Sequence, residues 1–196
     1  MKIKKIVYDV DDVLWGLNKR VANAIGIDEN NITHFVIKDN YLLTKEQQEA
    51  ILVEYNKDET FDNIEWYEGI EDILKPVSLG IDVSINSNCL TEKMAELKTT
   101  QLMKILNISK EKIRCNVIDH SVATKKKIDK DTDILVEDSP FNISISPAKL
   151  NILINHPWNA SEHAIELIKG KNVIRVDTLK EANELIYNLC LKQKSA

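Results

Sequence analysis

Glycine is scarce in this 196-residue chain, at five residues, and so is cysteine, at three. The few glycines build neither a Gly-x-x-x-x-Gly-Lys-Ser/Thr loop nor a Gly-x-Gly-x-x-Gly turn. A P-loop kinase and a dinucleotide enzyme are therefore excluded. Cys89, Cys115 and Cys190 are far apart and contain no Cys-x-x-Cys pair. That excludes a zinc ribbon, a dithiol redox motif and a disulfide framework, and it fits a reducing compartment. No apolar run approaches the roughly 20 residues that span a bilayer. Positive charge is not in excess either. Lys and Arg number 26 against 31 Asp and Glu, a net charge of −5, so binding to a long nucleic acid, which rests on cationic surface, is not expected. The N-terminus meets Asp9 after only Ile6-Val7-Tyr8. This is too short for a secretory core and reads as the first strand of a cytoplasmic protein.

What is present is an ordinary soluble composition, 43% hydrophobic and 29% charged. Ile3 to Val10 reads as a buried strand. From Trp15 to about Ile73 the periodicity turns helical. Leu17 to Ile25 is closed by Gly26, a capping box at Thr44 and Gln47 opens a helix through Tyr55, and Ile70 to Lys75 is closed by Pro76. Strands and helices then alternate. Strands are expected at Ile81–Asn86, Ile113–Ile118, Ile134–Val136, Ile152–Ile154 and Val173–Val176. Helices are expected at Thr91–Leu106, Ser161–Lys169 and Leu179–Leu191. The pattern predicts an α/β protein with a doubly wound, mostly parallel sheet. Residues 1–14 and 74–196 form the core, and 15–73 form a small helical cap inserted after the first strand.

Acidic residues gather where strands end. Asp9 and Asp11 follow the first strand, and strand alternation places both on one side. At ~4 Å and an effective dielectric near 20 two carboxylates repel by about 4 kcal/mol, so a cation, a metal or a shared proton is needed. Asp11 or Asp12 capping the next helix is the plainer reading of the same residues. Glu137 and Asp138 follow a second buried strand, and clustered carboxylates suit a hard cation such as Mg²⁺. Asn86-Ser87-Asn88 ends the strand after the insert, and Lys125, Lys126 and Lys127 precede the Ile134 strand.

In that order, Asp-x-Asp, Ser-Asn, Lys and Glu-Asp, the chain resembles the haloacid dehalogenase-like phosphohydrolases. The nearest branch is the 5′(3′)-deoxyribonucleotidase-like group. The resemblance rests on Tyr8-Asp9-Val10-Asp11-Asp12-Val13-Leu14, Asn86-Ser87-Asn88 and Val136-Glu137-Asp138-Ser139-Pro140. Ile154-Asn155-His156-Pro157-Trp158-Asn159 resembles a late strand of that group. The implied core is the Rossmann-like sheet of that family.

The resemblance implies catalytic roles. Asp9 would be the nucleophile that forms an aspartyl-phosphate, and Asp11 the general acid and base. Ser87 and Lys127 would hold the phosphoryl group. Asp9, the backbone carbonyl of Asp11, and Asp138 would bind Mg²⁺, with Glu137 beside them. It also implies a small phosphorylated metabolite as partner, a nucleoside monophosphate first, with Asn88 near it. Seven of the eleven aromatic residues lie between Trp15 and Tyr67. They can stack on a base or simply build the cap's core. Trp15 and Phe35 are the ones expected to face substrate. A sugar phosphate as substrate, or a binding protein that retains the fold, are the alternatives. The oligomeric state stays open, with a homodimer as one option.

Overall fold

The computed structural model describes residues 2–117 and 128–195. Among these, six strands form one parallel sheet: β1 (Lys5–Tyr8), β2 (Asp82–Cys89), β3 (Ile113–Val117), β4 (Ile134–Glu137), β5 (Leu150–Ile154) and β6 (Val173–Val176). Their order across the sheet is β3-β2-β1-β4-β5-β6. The chain first builds outward from β1 on one side and then returns to β1's other edge with β4. The crevice at such a reversal, beyond the carboxyl ends of the strands, is where open α/β sheets bind ligands. β1, β4 and β5 are apolar runs with almost every residue buried, as a sheet covered on both faces requires.

Register places the acids. Tyr8 pairs with Val136 on β4 and with Ile85 on β2. One residue further on, Asp9 comes level with Glu137, and its backbone N–H donates to the Val136 carbonyl at 3.0 Å. β1 ends at Tyr8, so Asp9 and Asp11 lie beyond the strand rather than on it. β2 continues through Asn86, Ser87 and Asn88 to Cys89, three residues past the expected end, because β3 pairs with it along Ile113–Val117.

The helices are α1 (Leu17–Ile25), α2 (Lys45–Tyr55), α3 (Glu92–Leu106), α4 (Pro140–Ile145), α5 (Glu162–Leu167) and α6 (Leu179–Lys194). Gly26 stops α1 with φ of 73°, a left-handed conformation that costs glycine least. Thr44 and Gln47 form the expected reciprocal cap of α2. Two elements differ from expectation. Pro76 does not end its helix; a 3₁₀ run from Ile70 to Leu79 contains it and ends at Gly80. The turn at Ser139-Pro140 opens a short helix, α4, because Ser139 caps the Asn142 N–H and Pro140 suits the first turn.

Packing divides the expected 15–73 cap. Val21, Ala22, Ile32, Ile37, Leu43 and Ile51 make a second hydrophobic cluster with Trp158. Trp15, Phe61, Ile64, Ile70 and Ile73 instead join the cluster of the sheet. A helical unit this small cannot bury all its large side chains alone, so its flanks use the larger core. Among the described residues no helix is long and apolar enough to cross a membrane.

Candidate active site

One carboxylate oxygen from each of Asp9, Glu137 and Asp138 lies within 4.8 Å of the others, and all three residues are buried. Asp9 comes from the loop after β1, and Glu137 and Asp138 from the end of the adjacent β4, so sheet register creates the cluster. At that spacing each charged pair costs about 3–4 kcal/mol at an effective dielectric near 20. Burial, followed by the charges of Asp12 and Asp9, pushes the Asp138 carboxyl up to about 8, against the opposing bond from Trp158. Asp12 is also held well above the usual carboxylate range, first by burial. Three hard oxygen donors with mutual repulsion are the donor set a Mg²⁺ ion satisfies, so these residues fit the expected metal. Glu137 Oε1 accepts the backbone N–H groups of Asp138 and Ser139, both at 3.2 Å.

Asp11 is not part of the three-acid cluster. Its carboxylate is held from two sides. Trp15 Nε1 donates to Oδ1 at 2.9 Å, and Lys98 Nζ sits 2.5 Å from Oδ2. The backbone turns sharply next, at Asp12, with φ of 57°. Asp12 follows the plainer reading and caps α1. Its carboxylate accepts the Asn18 backbone N–H and Nδ2–H, both at 2.9 Å. Asn18 in turn accepts the Tyr55 hydroxyl, so the loop after β1 is tied to both cap helices.

Sequence reading overlooked Lys98. It is 1% exposed, on the same face of α3 as Met94, Ala95 and Leu102. Its ammonium contacts Asp11, donates to Ser87 Oγ at 3.2 Å and the Asn88 carbonyl at 3.3 Å, and lies 4.9 Å from the Phe61 ring centre. Burial disfavours its charge, and Asp11, Cys89 and Cys115 together reverse this, leaving its pKa raised. The signal was available: Met94, Lys98 and Leu102 recur at a spacing of four, which put a lysine on the apolar stripe. Ser87 is fully buried beside this ammonium. Lys127, expected to hold phosphate, and its neighbours Lys125 and Lys126 lie outside the described residues.

Above the acids is a cavity of about 430 Å³, bounded by the cap. It is lined by the site residues Asp9, Asp11, Asn88, Lys98 and Asp138, by the cap's Asn18, His34 and Tyr55, and by apolar Ile32, Phe35, Ile37, Leu52, Phe61 and Met94. Phe35, 55% exposed, lines this cavity. Trp15 does not. It is 1% exposed, packs edge-on against Phe61 at 5.8 Å and is not among the residues lining the cavity. The expectation that it faces substrate is therefore corrected: its indole is core, and its N–H orients Asp11.

The raised Asp138 carboxyl makes stability pH-dependent. Its ordinary value is 3.8, so between about pH 4 and 8 the folded chain binds a proton that the unfolded chain lacks. This contribution is complete below pH 4 and is lost as pH rises through 8. Metal-free protein should lose Tm over that window, and Asp138→Asn should flatten the loss. Since a cation competes with the proton, Mg²⁺ should raise Tm more at pH 8 than at pH 5. Thermal melts at both pH values check this; an equal Mg²⁺ increment would contradict it.

No protein-family model matches the sequence, and no curated protein matches it. Solved structures do. A haloacid dehalogenase-like hydrolase from Streptococcus pneumoniae is 14% identical with a TM-score of 0.54, over 94% of this chain and 98% of that one. A haloacid dehalogenase-like hydrolase from Bacteroides fragilis is 13% identical with a TM-score of 0.53, over 92% of this chain and 100% of that one. L-2-haloacid dehalogenase from Xanthobacter autotrophicus with chloropropionic acid covalently bound is 13% identical with a TM-score of 0.51, over 94% and 98%. The likeness runs through the whole length of these neighbours, and the chain therefore has the haloacid dehalogenase-like fold.

Proposed function

We propose that this chain is a Mg²⁺-dependent phosphomonoester hydrolase that works through an aspartyl-phosphate on Asp9 and acts on a nucleoside monophosphate. The observation that carries the reading is the Asp9 carboxylate, held in a buried acid cluster that lines a cavity shared with apolar cap residues. An Asp9 oxygen forms a bond to phosphorus as the bond to the ester oxygen breaks. Asp11 gives the departing alkoxide its proton, then takes one from the water that releases phosphate and restores Asp9. Lys98, beside both Asp11 and Ser87, stabilises the phosphoryl oxygens. Asp9 and Asp138, with the Asp11 carbonyl, would hold Mg²⁺, which neutralises the acids and the phosphoryl charge.

The cavity supports the nucleotide over a sugar phosphate. The cavity also carries Asn18, His34 and Tyr55, so only the sugar hydroxyls set against Ile32, Ile37 and Leu52 would lose their partners in water without gaining others, at about 1–3 kcal/mol each. A base offers a flat face to Phe35 instead. The test is a Mg²⁺-supplemented screen of deoxynucleotides, ribonucleotides, sugar phosphates and p-nitrophenyl phosphate, with 2-haloacids included. Release of halide with no phosphate from any ester would overturn the reading. Sugar phosphates outrunning every nucleotide would leave a phosphatase and remove the nucleotide. Phe35→Ala should lower kcat/KM on the preferred nucleotide by about 1–3 kcal/mol, the worth of one stack, and on p-nitrophenyl phosphate much less. Equal losses on both would make Phe35 part of the cap's packing only.

A further inference from the structure

The turn after β5 reaches the acid loops from the opposite side to Lys98, and the reaction outlined above leaves it without a task. β5 ends at Ile154, and Pro157–Asn159 forms one 3₁₀ turn. Trp158 Nε1 donates to Asp138 Oδ2 at 2.9 Å. Asn159 Nδ2 donates to the Asp138 carbonyl at 2.9 Å and to the Ile154 carbonyl at 2.7 Å. Its Oδ1 accepts from the His156 backbone N–H at 3.2 Å and from Arg175 at 2.7 Å, so every hydrogen-bonding direction of the amide is engaged. His156 Nε2 lies 2.7 Å from the carbonyl of Asp12, the residue with φ of 57°. The His156 and Trp158 rings are parallel within 6° and 4.2 Å apart, and Trp158 is also part of the cap's hydrophobic cluster.

We propose that His156, Trp158 and Asn159 form a clamp that positions the metal-binding groups, holding the Asp138 carboxylate and the loop after Asp11 at a fixed separation. This rests on the reading of Asp9, Asp11 and Asp138 as the Mg²⁺ site. Two features suit the task. First, the indole of Trp158 on the Asp138 carboxylate and the amide of Asn159 on the Asp138 carbonyl are neutral at every pH. They fix the residue without cancelling the charge a cation needs, as an arginine or lysine would. Second, the clamp touches both acid loops, which come from β1 and β4. Its stacked rings, Trp158 buried and His156 half-buried, make the separation of those loops a property of one packed unit rather than of two free turns. Groups that orient metal ligands typically change metal affinity by 10–100-fold when removed.

The variant that isolates the effect is Trp158→Phe, which keeps a ring for the stack and for the cap's core but removes the N–H. Binding of Mn²⁺ to metal-free protein, followed by the electron paramagnetic resonance of the free ion, and of Mg²⁺ by calorimetry, reads the site without turnover. Expected is a Kd raised about 10–100-fold with the metal-free Tm close to wild type. His156→Phe, which keeps a stacked ring and removes the bond to the Asp12 carbonyl, should raise Kd in the same direction. It decides the matter if Trp158→Phe lowers the metal-free Tm. Wild-type affinity in folded Trp158→Phe and His156→Phe would overturn the clamp and leave the metal site standing. Wild-type protein that binds neither ion would overturn the metal site, and the clamp with it.

Discussion

Asp9→Asn should abolish ester hydrolysis while leaving a folded and more stable protein. The amide has no charge and no lone pair able to displace an alkoxide at phosphorus. Losing a nucleophile of this type costs about 10⁴–10⁶-fold in kcat. The same change removes one member of a buried cluster in which like charges lie within 4.8 Å, so Tm in the absence of metal should rise. The gain from added Mg²⁺ should shrink, because one ligand has lost its charge. Kinetics on p-nitrophenyl phosphate and a nucleotide, with melts with and without Mg²⁺, read all three. Turnover within tenfold of wild type would remove Asp9 from the nucleophile's role.

Lys98→Met should be the next most damaging change. Methionine keeps most of the buried volume of the stem, against Phe61 and in line with Met94 and Leu102, and removes only the ammonium. Loss of one preorganised donor to a developing charge costs about 10²–10³-fold in kcat. The loss should fall on both good and poor leaving groups, since phosphoryl oxygens gain charge with either. Asp11→Asn should differ. Its cost should be largest on alkyl phosphates, whose leaving oxygen needs a proton, and small on p-nitrophenyl phosphate. Lys98→Met with kcat unchanged would make the ammonium a structural counter-ion to Asp11 and nothing more.

These predictions draw unequally on what could be read from the residues. Strand alternation with helices, the stop at Gly26, the box at Thr44 and Gln47, and the placement of Asp9, Ser87 and Asp138 near strand ends all follow from local rules: β-branched runs, caps and turn residues act within a few positions of themselves. That was enough for the parallel sheet and its helices. Three things were beyond it. Asp9 meets Glu137 and Asp138 because β4 returns to the edge of β1, a contact between segments about 130 residues apart. Trp15 is core and not cavity wall because Phe61, far along the insert, folds back over it. The clamp on Asp138 exists only because β5 lies beside β4, which brings the turn after β5 to the acid loops. Even Lys98, visible as a lysine at an apolar spacing, had no partner until α3 was laid against the end of β2 and the loop after β1. Local residue patterns named the side chains able to do chemistry and the edge of the sheet they occupy. Which charge meets which came from the packing of distant segments, because charge pairing depends on distances in space that no local propensity encodes.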